Sequence, residues 1–576
     1  MINSWKANEF KIGINMAGAV SAGAYTAGVL DFLMEALEEW QKAKDAFRTH
    51  LLNPAGGSTF QNPVPLHDIS IEVFSGASAG GMCAAIASVM VQGSFDHITD
   101  PQATKTNNTF YEAWVNQIDI SKLLRADDLK DGGPLVSILD STIIDTIAQS
   151  ALTPGVPSPQ PCISKSLTLF LTLTNVRGVP YQLYTDPSPT LDEFITYYAD
   201  RVQFETTQPG GATSDPRAKS LPLGQPQGGA WDLLQNAAKA TGAFPLFLAP
   251  RQLSRDLIDY GVPNWIPLSG PPPAPPIVSD LPRPPAASIL TLNIDGGVTD
   301  NDPFDLAHDF LATHNPKAAN GVNPRGPLDA NCAVISVAPF PSADRYDPQF
   351  NFNEAQQIFP MFRRLATVLV SQSRFLGESL AVLASGAAFS RFVIAPSDPG
   401  QTRNEALQCA SLGAFGGFME RSFRAHDFLL GRRNCQKFLE TYFRLPVGNP
   451  VISAGLGEAG SYATKIEAGF AGDPPPGVTV PPSGKVWMPV IPLVGSACNP
   501  VPDPVRGSIP RDAVSTIADQ VLARISAIKG PLLDGAPAAW LLKLIVGVLC
   551  SWPTRILVRG KIVDALTAAL SPDVKG

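Results

Sequence analysis

A serine between two glycines is the first group in this sequence whose surroundings favour chemistry. The segment Gly76-Ala77-Ser78-Ala79-Gly80 follows the apolar run Ile69–Phe74 and precedes a second apolar stretch that continues to Val91. Small neighbours permit the tight strand-to-helix turn that lifts a serine hydroxyl out of a sheet. The free N–H groups at the start of the following helix can stabilise an oxyanion. The pattern predicts that Ser78 is a nucleophile; the alternative is an ordinary glycine-rich loop.

An aspartate closes another apolar run. Ile289–Ile294 is predicted to be a buried strand, and Asp295-Gly296-Gly297 follows it directly. A carboxylate at the same edge of a parallel sheet can reach a serine on a neighbouring strand end, and glycines beside it let the backbone come close. The same tripeptide occurs at Asp131-Gly132-Gly133, but no apolar strand precedes it, so we predict a turn there. The sequence therefore favours Asp295 as the partner of Ser78, with a common strand-end turn as the alternative.

Alternating strands and helices must position these groups. The hydrophobic patterns predict helices at Ala24–Glu39, Met361–Leu383 and Phe415–Phe443, and strands at Phe10–Met16, Ile69–Phe74, Leu167–Leu173, Ile289–Ile294, Ala333–Val337 and Phe392–Ala395, with Tyr181–Tyr184 pairing with Leu167–Leu173. Such alternation is typical of an α/β fold with three layers, in which a mostly parallel central sheet is covered by helices on both faces.

Prolines divide the chain further. Of the 55 prolines, dense groups lie at 153–161, 262–285 and 472–482. They are predicted to form surface loops and a linker, because proline is excluded from central strands and helix interiors. The strand–helix rhythm is lost near residue 450. We therefore expect a domain at 1–450 that carries the chemical motifs, followed at 451–576 by a proline-rich linker and a helical C-terminal region.

Composition excludes several classes of partner. The formal net charge is −8, and nucleic-acid binding requires a basic face, so no nucleic acid is expected. The seven cysteines show neither paired ligand spacing nor a disulfide framework, which predicts no metal site and a reducing compartment. No acidic loop resembling a calcium site is visible, and no cofactor is predicted.

The N-terminal segment bears on location. Residues 12–30 are mostly small and apolar with Lys11 before them, a pattern that a secretory signal also shows. The glycine-containing loop Gly18–Gly23 inside it lies between a strand and a helix, so its amides can point at an anion, and we expect the segment to be retained. Since no run reaches the length of a spanning helix, the expected location is cytoplasmic, with peripheral membrane contact left open.

Three motifs in order carry a family resemblance. The strand–loop–helix with Gly23-Ala24-Tyr25-Thr26-Ala27-Gly28-Val29-Leu30, the serine motif at 76–80 and Asp295-Gly296-Gly297 together resemble the bacterial-type patatin-like phospholipases. Thr241-Gly242-Ala243-Phe244-Pro245 is similar to the family's stretch ahead of the aspartate strand. The motif core spans residues 9–310. The resemblance implies a patatin-like α/β/α fold and an acyl hydrolase of phospholipids or other acyl lipids.

The same resemblance implies the mechanism. Ser78 and Asp295 would form a catalytic dyad acting through an acyl-enzyme, and the oxyanion hole would be formed by backbone amides near Gly18 and Ala19, aided by Ala79. This sequence departs from the family in that loop. The family usually has three glycines and then a basic residue, whereas here only Gly18 remains of the glycines and Ala22 occupies the basic position. The β-branched Val20 also restricts the loop backbone.

Several alternatives stay open. A serine–aspartate–histidine triad would need a late histidine, and His308, His314 and His426 are the candidates. A general esterase or thioesterase, a catalytically weakened surface-binding protein and a membrane-degrading toxin are alternative functions. The basic cluster Arg421–Arg433 would either meet lipid phosphate or form a solvated, ion-paired helix face. The apolar face of 514–528 and the segment 538–570 would serve either core packing or a membrane surface.

Overall fold

The computed structural model describes the chain except for residues 1–4, 54–58, 131, 133, 156, 159, 184–192, 226–227, 269–278, 282–287, 341–347, 358–360, 362–387, 479–485, 535–551, 572 and 576. The strands are β1 (Glu9–Met16), β2 (Asp68–Gly76), β3 (Ile163–Leu183), β4 (Glu193–Thr207), β5 (Lys219–Pro222), β6 (Arg251–Asp256), β7 (Ser288–Asp295), β8 (Cys332–Val337), β9 (Arg391–Ile394), β10 (Arg444–Pro446), β11 (Trp487–Pro489), β12 (Ile509–Pro510) and β13 (Val574–Lys575).

Helices of eight or more residues are α1 (Gly23–Leu52), α2 (Ser78–Met90), α3 (Thr142–Ala151), α4 (Ala230–Thr241), α5 (Phe304–His314), α6 (Arg421–Thr441), α7 (Pro450–Glu458), α8 (Ala463–Phe470), α9 (Arg511–Asp534) and α10 (Trp552–Leu570). Shorter helical turns include Val20–Ala22, Thr109–Tyr111, Glu112–Gln117, Ile120–Leu123, Asp127–Leu129, Leu257–Tyr260, Gly296–Val298, Phe352–Ala355, Arg403–Ala406, Gln408–Ala410, Ser411–Ala414, Gly416–Met419, Gly460–Tyr462 and Gly495–Cys498.

The central sheet has the order β5-β4-β3-β2-β1-β8-β9, with β7 paired to both β3 and β6. Along this path β3, β2, β1, β8 and β9 run parallel to one another, whereas β4 is antiparallel to β3. One face packs against α1, α2, α4 and α6, and α5 covers the other through a separate cluster around Val73, Phe170 and Leu311. This confirms the predicted three-layer α/β fold with a mostly parallel central sheet.

Two predictions about strands are wrong. Tyr181 does not begin a partner for Leu167–Leu173, because both belong to the single long strand β3, which pairs antiparallel with β4 along most of its length. The strand that carries Asp295 is also not parallel to its neighbour: β7 pairs antiparallel with β3, and Asp295 lies opposite Leu173. β3 continues well past Leu171, which lies opposite Gly76 at the end of β2, so β7 can run back along this extension toward the serine. Asp295 therefore reaches Ser78 from the end of an antiparallel strand and not from a neighbouring parallel strand end.

Residues beyond 450 pack onto the same hydrophobic cluster as β1. Val451, Ile452 and Trp487 are among its buried members. Asn449 donates its side-chain N–H groups to the carbonyl oxygens of Pro327 and Ala330. Where the domain boundary falls stays a prediction. The predicted helix at Met361–Leu383 lies almost wholly outside the described residues, as do Asp131 and Gly133 of the second Asp-Gly-Gly tripeptide.

Candidate active site

The turn between β2 and α2 holds Ser78 in a strained backbone conformation. Its φ is 52°, in the left-handed region that costs a non-glycine residue about 1–3 kcal/mol. Both flanking glycines are required by space. A Cβ on Gly76 would lie 2.7 Å from the carbonyl oxygen of Gly80, and a Cβ on Gly80 would lie 2.1 Å from that of Met16. The turn therefore needs the small residues that the sequence places there, and it projects the Ser78 side chain above the sheet.

Asp295 lies within hydrogen-bonding distance of Ser78. The Ser78 Oγ donates to Oδ2 of Asp295 at 2.7 Å, and the Gly297 N–H donates to Oδ1 at 2.7 Å. Gly296 lies against β3 so closely that a Cβ on it would be 2.2 Å from the carbonyl oxygen of Thr172. The carboxyl is only 3% exposed, and burial raises its pKa to about 7 although both hydrogen bonds oppose the shift. This carboxyl can therefore gain and lose a proton near neutral pH.

Thr241 belongs to the site, although the sequence carried no indication of its role. It ends α4, and its Oγ1 accepts the backbone N–H of Ser78 at 2.9 Å. The segment continues to Ala243, whose carbonyl accepts the N–H of Asp295 at 3.0 Å. One short stretch thus holds both members of the pair. The only signal for Thr241 in the sequence was its position in the segment Thr241–Pro245, which is similar to the family's stretch ahead of the aspartate strand.

The glycine-containing loop lies directly over Ser78. A Cβ on Gly18 would be 3.0 Å from the Cβ of Ser78 and 2.0 Å from Oδ1 of Asn301. The Gly18 N–H donates to the carbonyl oxygen of Asn301 at 3.0 Å, so it is not directed at the serine as the sequence led us to expect. Within the described residues, the N–H groups of Ala19 and Val20 have no acceptor.

The loop keeps its course despite its altered sequence. Val20 adopts a φ of 49°, a conformation that suits glycine far better than a β-branched residue. Ser21 compensates by bonding: its hydroxyl donates to the carbonyl of Ala414 and accepts the N–H of Gly417 at 3.1 Å. The loop is therefore fixed to the segment 411–419. In the first turn of α2, Gly81 is bonded to Ala77, which leaves the N–H groups of Ala79 and Gly80 ahead of the helical ladder.

A buried polar network supports the loop that follows Asp295. Asn15 on β1 donates to Asp302 and, at 2.8 Å, to the hydroxyl of Ser336 on β8. Ser75 on β2 donates to Asn15 at 3.1 Å. These bonds connect three adjacent strand ends to the segment after Gly297. Asn301 and Asp302 therefore position the loop over the serine. This role becomes visible only once the fold is known.

Ser78 and Asp295 line an apolar cavity that is partly open to solvent. Its other walls are Val20, Ala79, Met82, Ile86, Ala113, Trp114, Ile118, Ile144, Ile147, Gly242, Phe244, Leu248, Phe415 and Phe418. Ser78, Met82 and Ile86 follow one another at helical spacing, so the cavity extends along one face of α2 for about 12 Å. Its lining is suited to a hydrocarbon chain.

The three late histidines have other partners. His308 is paired with Asp309 at 3.2 Å, His314 Nδ1 contacts the carbonyl of Phe310 at 2.7 Å, and His426 is paired with Asp427 at 2.8 Å. None of them lines the cavity that contains Ser78. The described residues also contain no group of three or more metal-ligating side chains.

We expect each of His308→Ala, His314→Ala and His426→Ala to keep ester hydrolysis within a few-fold of the unaltered protein, because none contacts Ser78 or Asp295. Turnover on a short-chain ester, with folding checked by circular dichroism, measures this. A loss of about 10³-fold in one folded variant would instead indicate a triad.

The chain is similar to known proteins. The model of the family described as patatin-like phospholipase matches residues 14–308, slightly more than half of the chain. The chain belongs to the patatin-like phospholipase family. A relative of this patatin-like protein is "Uncharacterized protein y4iI" of Sinorhizobium fredii (strain NBRC 101917 / NGR234), which is 30% identical over 97% of this chain and 81% of its own length. Membership of this family supports the hydrolysis of lipid acyl esters as the general activity of the protein.

The basic cluster Arg421–Arg433 of this patatin-like chain makes contacts inside the protein. Arg432 pairs with Asp31 and Glu35, and Arg424 donates to the carbonyls of Val115 and Gly417. The structure therefore favours ion pairing and core bonding over contact with lipid phosphate.

The apolar face of α9 is mostly covered. Val514, Ile517, Leu522 and Ile528 are buried, which favours core packing for this stretch. Residues 535–551 lie outside the described part, so membrane binding by the segment 538–570 stays a prediction. In the described ranges, no helix has both the length and the apolarity that crossing a membrane requires.

Proposed function

We propose that the protein is a phospholipase A-like lipid acyl hydrolase that cleaves fatty-acyl esters with a Ser78–Asp295 dyad. The observation that carries the proposal is the 2.7 Å hydrogen bond between Ser78 and a buried Asp295 at the wall of a long apolar cavity. An apolar channel of this length favours a fatty-acyl group over the short acyl groups of a general esterase.

In the first half-reaction, the Oγ of Ser78 attacks the ester carbonyl while Asp295 takes its proton. The N–H groups of Ala19, Val20 and Ala79 would receive the oxyanion. Val20 and Ala79 line the cavity with Ser78, Ala19 directly precedes Val20, and these N–H groups have no acceptor within the described residues. Asp295 then gives its proton to the departing alcohol, and the acyl group stays on Ser78. In the second half-reaction, Asp295 takes a proton from water, and the resulting hydroxide attacks the acyl-enzyme. Asp295 then returns this proton to the Ser78 oxygen as the bond to the acyl group breaks and the fatty acid is released.

The proposal is tested by labelling with a fluorophosphonate, which reacts with activated serines, and by release of fatty acid from phospholipid vesicles. Covalent labelling at Ser78 together with fatty-acid release would support it. A protein that neither labels nor hydrolyses any ester would contradict it and would favour a catalytically weakened binding protein.

The length of the cavity predicts which residue selects chain length. Ile86 lies two turns along α2 from Ser78, is 5% exposed and lines the cavity. We expect Ile86→Trp to lower kcat/KM for a dodecanoyl ester about tenfold or more, because the indole occupies the space of the distal methylenes. The butanoyl ester should change by less than about threefold, since its acyl group ends before this position.

Ile86→Leu is the matched control, because it conserves volume and should keep the original preference. The rate of fluorophosphonate labelling at Ser78 reports whether the Trp variant retains its active site. An equal loss on both esters in a protein that still labels normally would show that the acyl chain does not follow α2.

A further inference from the structure

Exposed apolar side chains lie next to residues that line the cavity, such as Phe244 and Leu248. Leu246 is 76% exposed and Val136 is 55% exposed, and Ile138, Phe247 and Ile525 are each more than one-third exposed. These five residues, called here the rim patch, come from three separate segments of the chain. Large apolar side chains grouped in this way on a surface indicate a contact site.

The rim patch is built into the fold. The N–H of Ile138 donates to the carbonyl of Leu246 at 2.8 Å, and the N–H of Leu139 donates to that of Phe247 at 3.0 Å. Arg524, beside Ile525 and only 2% exposed, donates to the carbonyl of Ile138 at 2.8 Å. The three segments are therefore bonded to one another, and the exposure of their side chains is a fixed property of the surface.

Leu246 is exposed at the expense of backbone strain. Its φ is 69°, in the region that disfavours leucine and favours glycine, asparagine or aspartate. Neither polar side chains nor glycine occupy this exposed turn, although both would relieve the strain. A strained, exposed leucine at the mouth of a cavity indicates that the apolar side chain itself is used.

The rim patch is continuous with the cavity. The ring of Phe247 lies 5.8 Å from that of Phe244 and 5.5 Å from that of Phe415, measured between centroids. Both of those rings line the cavity. Apolar side chains thus connect the rim patch to the wall of the cavity that contains Ser78.

Each of three cations near the rim patch, Arg524, Lys130 and Arg125, has a carboxylate within 4 Å. Asp128 accepts two hydrogen bonds from Arg524, at 2.5 and 2.7 Å. Asp127 pairs with Lys130 at 2.6 Å and with Arg125 at 3.9 Å. With its neighbouring cations paired in this way, the patch is suited to neutral lipid head groups and the hydrocarbon beneath them rather than to an anionic partner.

We propose that the rim patch docks the protein onto the surface of a lipid aggregate with neutral head groups, such as phosphatidylcholine. The inference rests on the proposed function, because it makes the patch the entry side of the acyl cavity. A second copy of the chain is a poorer occupant, since a protein seated on the patch would block the mouth. A lipid surface seated there delivers acyl chains directly into it.

The test measures sedimentation of the full-length protein with phosphatidylcholine vesicles, in the Ser78→Ala background so that lipid is not consumed. We expect Leu246→Asp to weaken vesicle binding about tenfold or more, because a charge replaces buried apolar contact. Aspartate tolerates positive φ better than leucine, so the variant should fold. The matched control is Leu52→Asp, 80% exposed at the far end of α1, about 45 Å along the helix from Gly23.

In the protein with Ser78 intact, Leu246→Asp should keep fluorophosphonate labelling and butanoyl ester hydrolysis while losing about tenfold on vesicle lipid. This separates the two proposals. If the unaltered protein is not labelled but still binds vesicles, the proposed hydrolase activity is contradicted and docking by the rim patch is not. Equal vesicle binding by Leu246→Asp and Leu52→Asp would overturn docking by the patch. So would sedimentation velocity showing a dimer that Leu246→Asp dissociates while vesicle binding is unchanged.

Discussion

Ser78→Ala is expected to abolish covalent labelling by fluorophosphonate and to lower ester turnover by about 10³-fold or more. The substitution removes the hydroxyl that we propose as the nucleophile, while the backbone turn and the bond from the Ser78 N–H to Thr241 can persist. Labelling detected by mass spectrometry and initial rates on a butanoyl ester measure the two effects. Alanine tolerates the positive φ of this turn about as well as serine does, so the loss of activity should come from the missing hydroxyl and not from a changed backbone.

Ser88→Ala is the control for this prediction. Ser88 lies on the same helix, is 1% exposed and bonds to the carbonyl of Ala85, so its removal tests the effect of losing a buried hydroxyl from α2. It should label and turn over like the unaltered protein. Labelling that survives Ser78→Ala would place the nucleophile elsewhere.

Asp295→Asn is expected to lower turnover by about 10²- to 10⁴-fold, because the amide keeps the shape of the carboxylate but is not a base. In the unaltered protein, burial raises the pKa of Asp295 to about 7. Only the ionised form accepts the proton of Ser78, so activity should rise as pH increases through about 7 and level off above it. The pH profile of kcat/KM on a soluble ester measures this midpoint.

Asp300 provides a matched control for that profile. Burial raises its pKa to about 8, yet its carboxylate does not bond to Ser78. Asp300→Asn should keep both the activity and the midpoint near pH 7, and Asp131→Asn should also stay near the unaltered rate. An active Asp295→Asn beside an inactive Asp131→Asn would show that the dyad is assigned to the wrong Asp-Gly-Gly tripeptide.

The same pKa has a consequence for stability. An unfolded aspartate has a pKa of about 3.9, so the native protein binds this proton more tightly than the unfolded chain does. Stability from this group is fully present below about pH 4 and is lost as pH rises through about 7. Asp295→Asn should therefore unfold at a higher temperature than the unaltered protein at pH 8, with a smaller difference at pH 5. Thermal melts of both proteins at the two pH values measure it.

The parts of the site that could be predicted are those set by local sterics. Gly76 and Gly80 are needed by the turn at Ser78 whatever surrounds it, and glycines after Asp295 allow the close approach to β3. A strand, a tight turn and a helix leave a pattern within about twenty residues. For that reason the position of the serine and the general fold could be predicted from sequence alone.

The remaining features depend on contacts between distant segments. The antiparallel course of β7 follows from the length of β3, and nothing within Ile289–Ile294 records the direction of its neighbour. The bond from Gly18 to the Asn301 carbonyl involves only backbone atoms, so the side chains carry no trace of it. The sequence does not predict β4, because only its second half, around Val202 and Phe204, alternates apolar and polar residues, whereas its first half, 193–198, does not. Likewise, the arginines at 424 and 432 pair with partners far away in the sequence.

Arg524 has a further consequence during synthesis. It bonds to the carbonyls of Arg125, Ser137 and Ile138, yet it is made long after these residues and after Asp295. At about 20 residues per second, a ribosome needs roughly ten seconds to travel from Asp295 to α9. Until then the nascent chain holds the serine and aspartate but lacks the clamp that sets its apolar rim. If the rim patch docks as proposed, we expect the patch to be complete only after α9 has emerged and packed against residues 137 and 138.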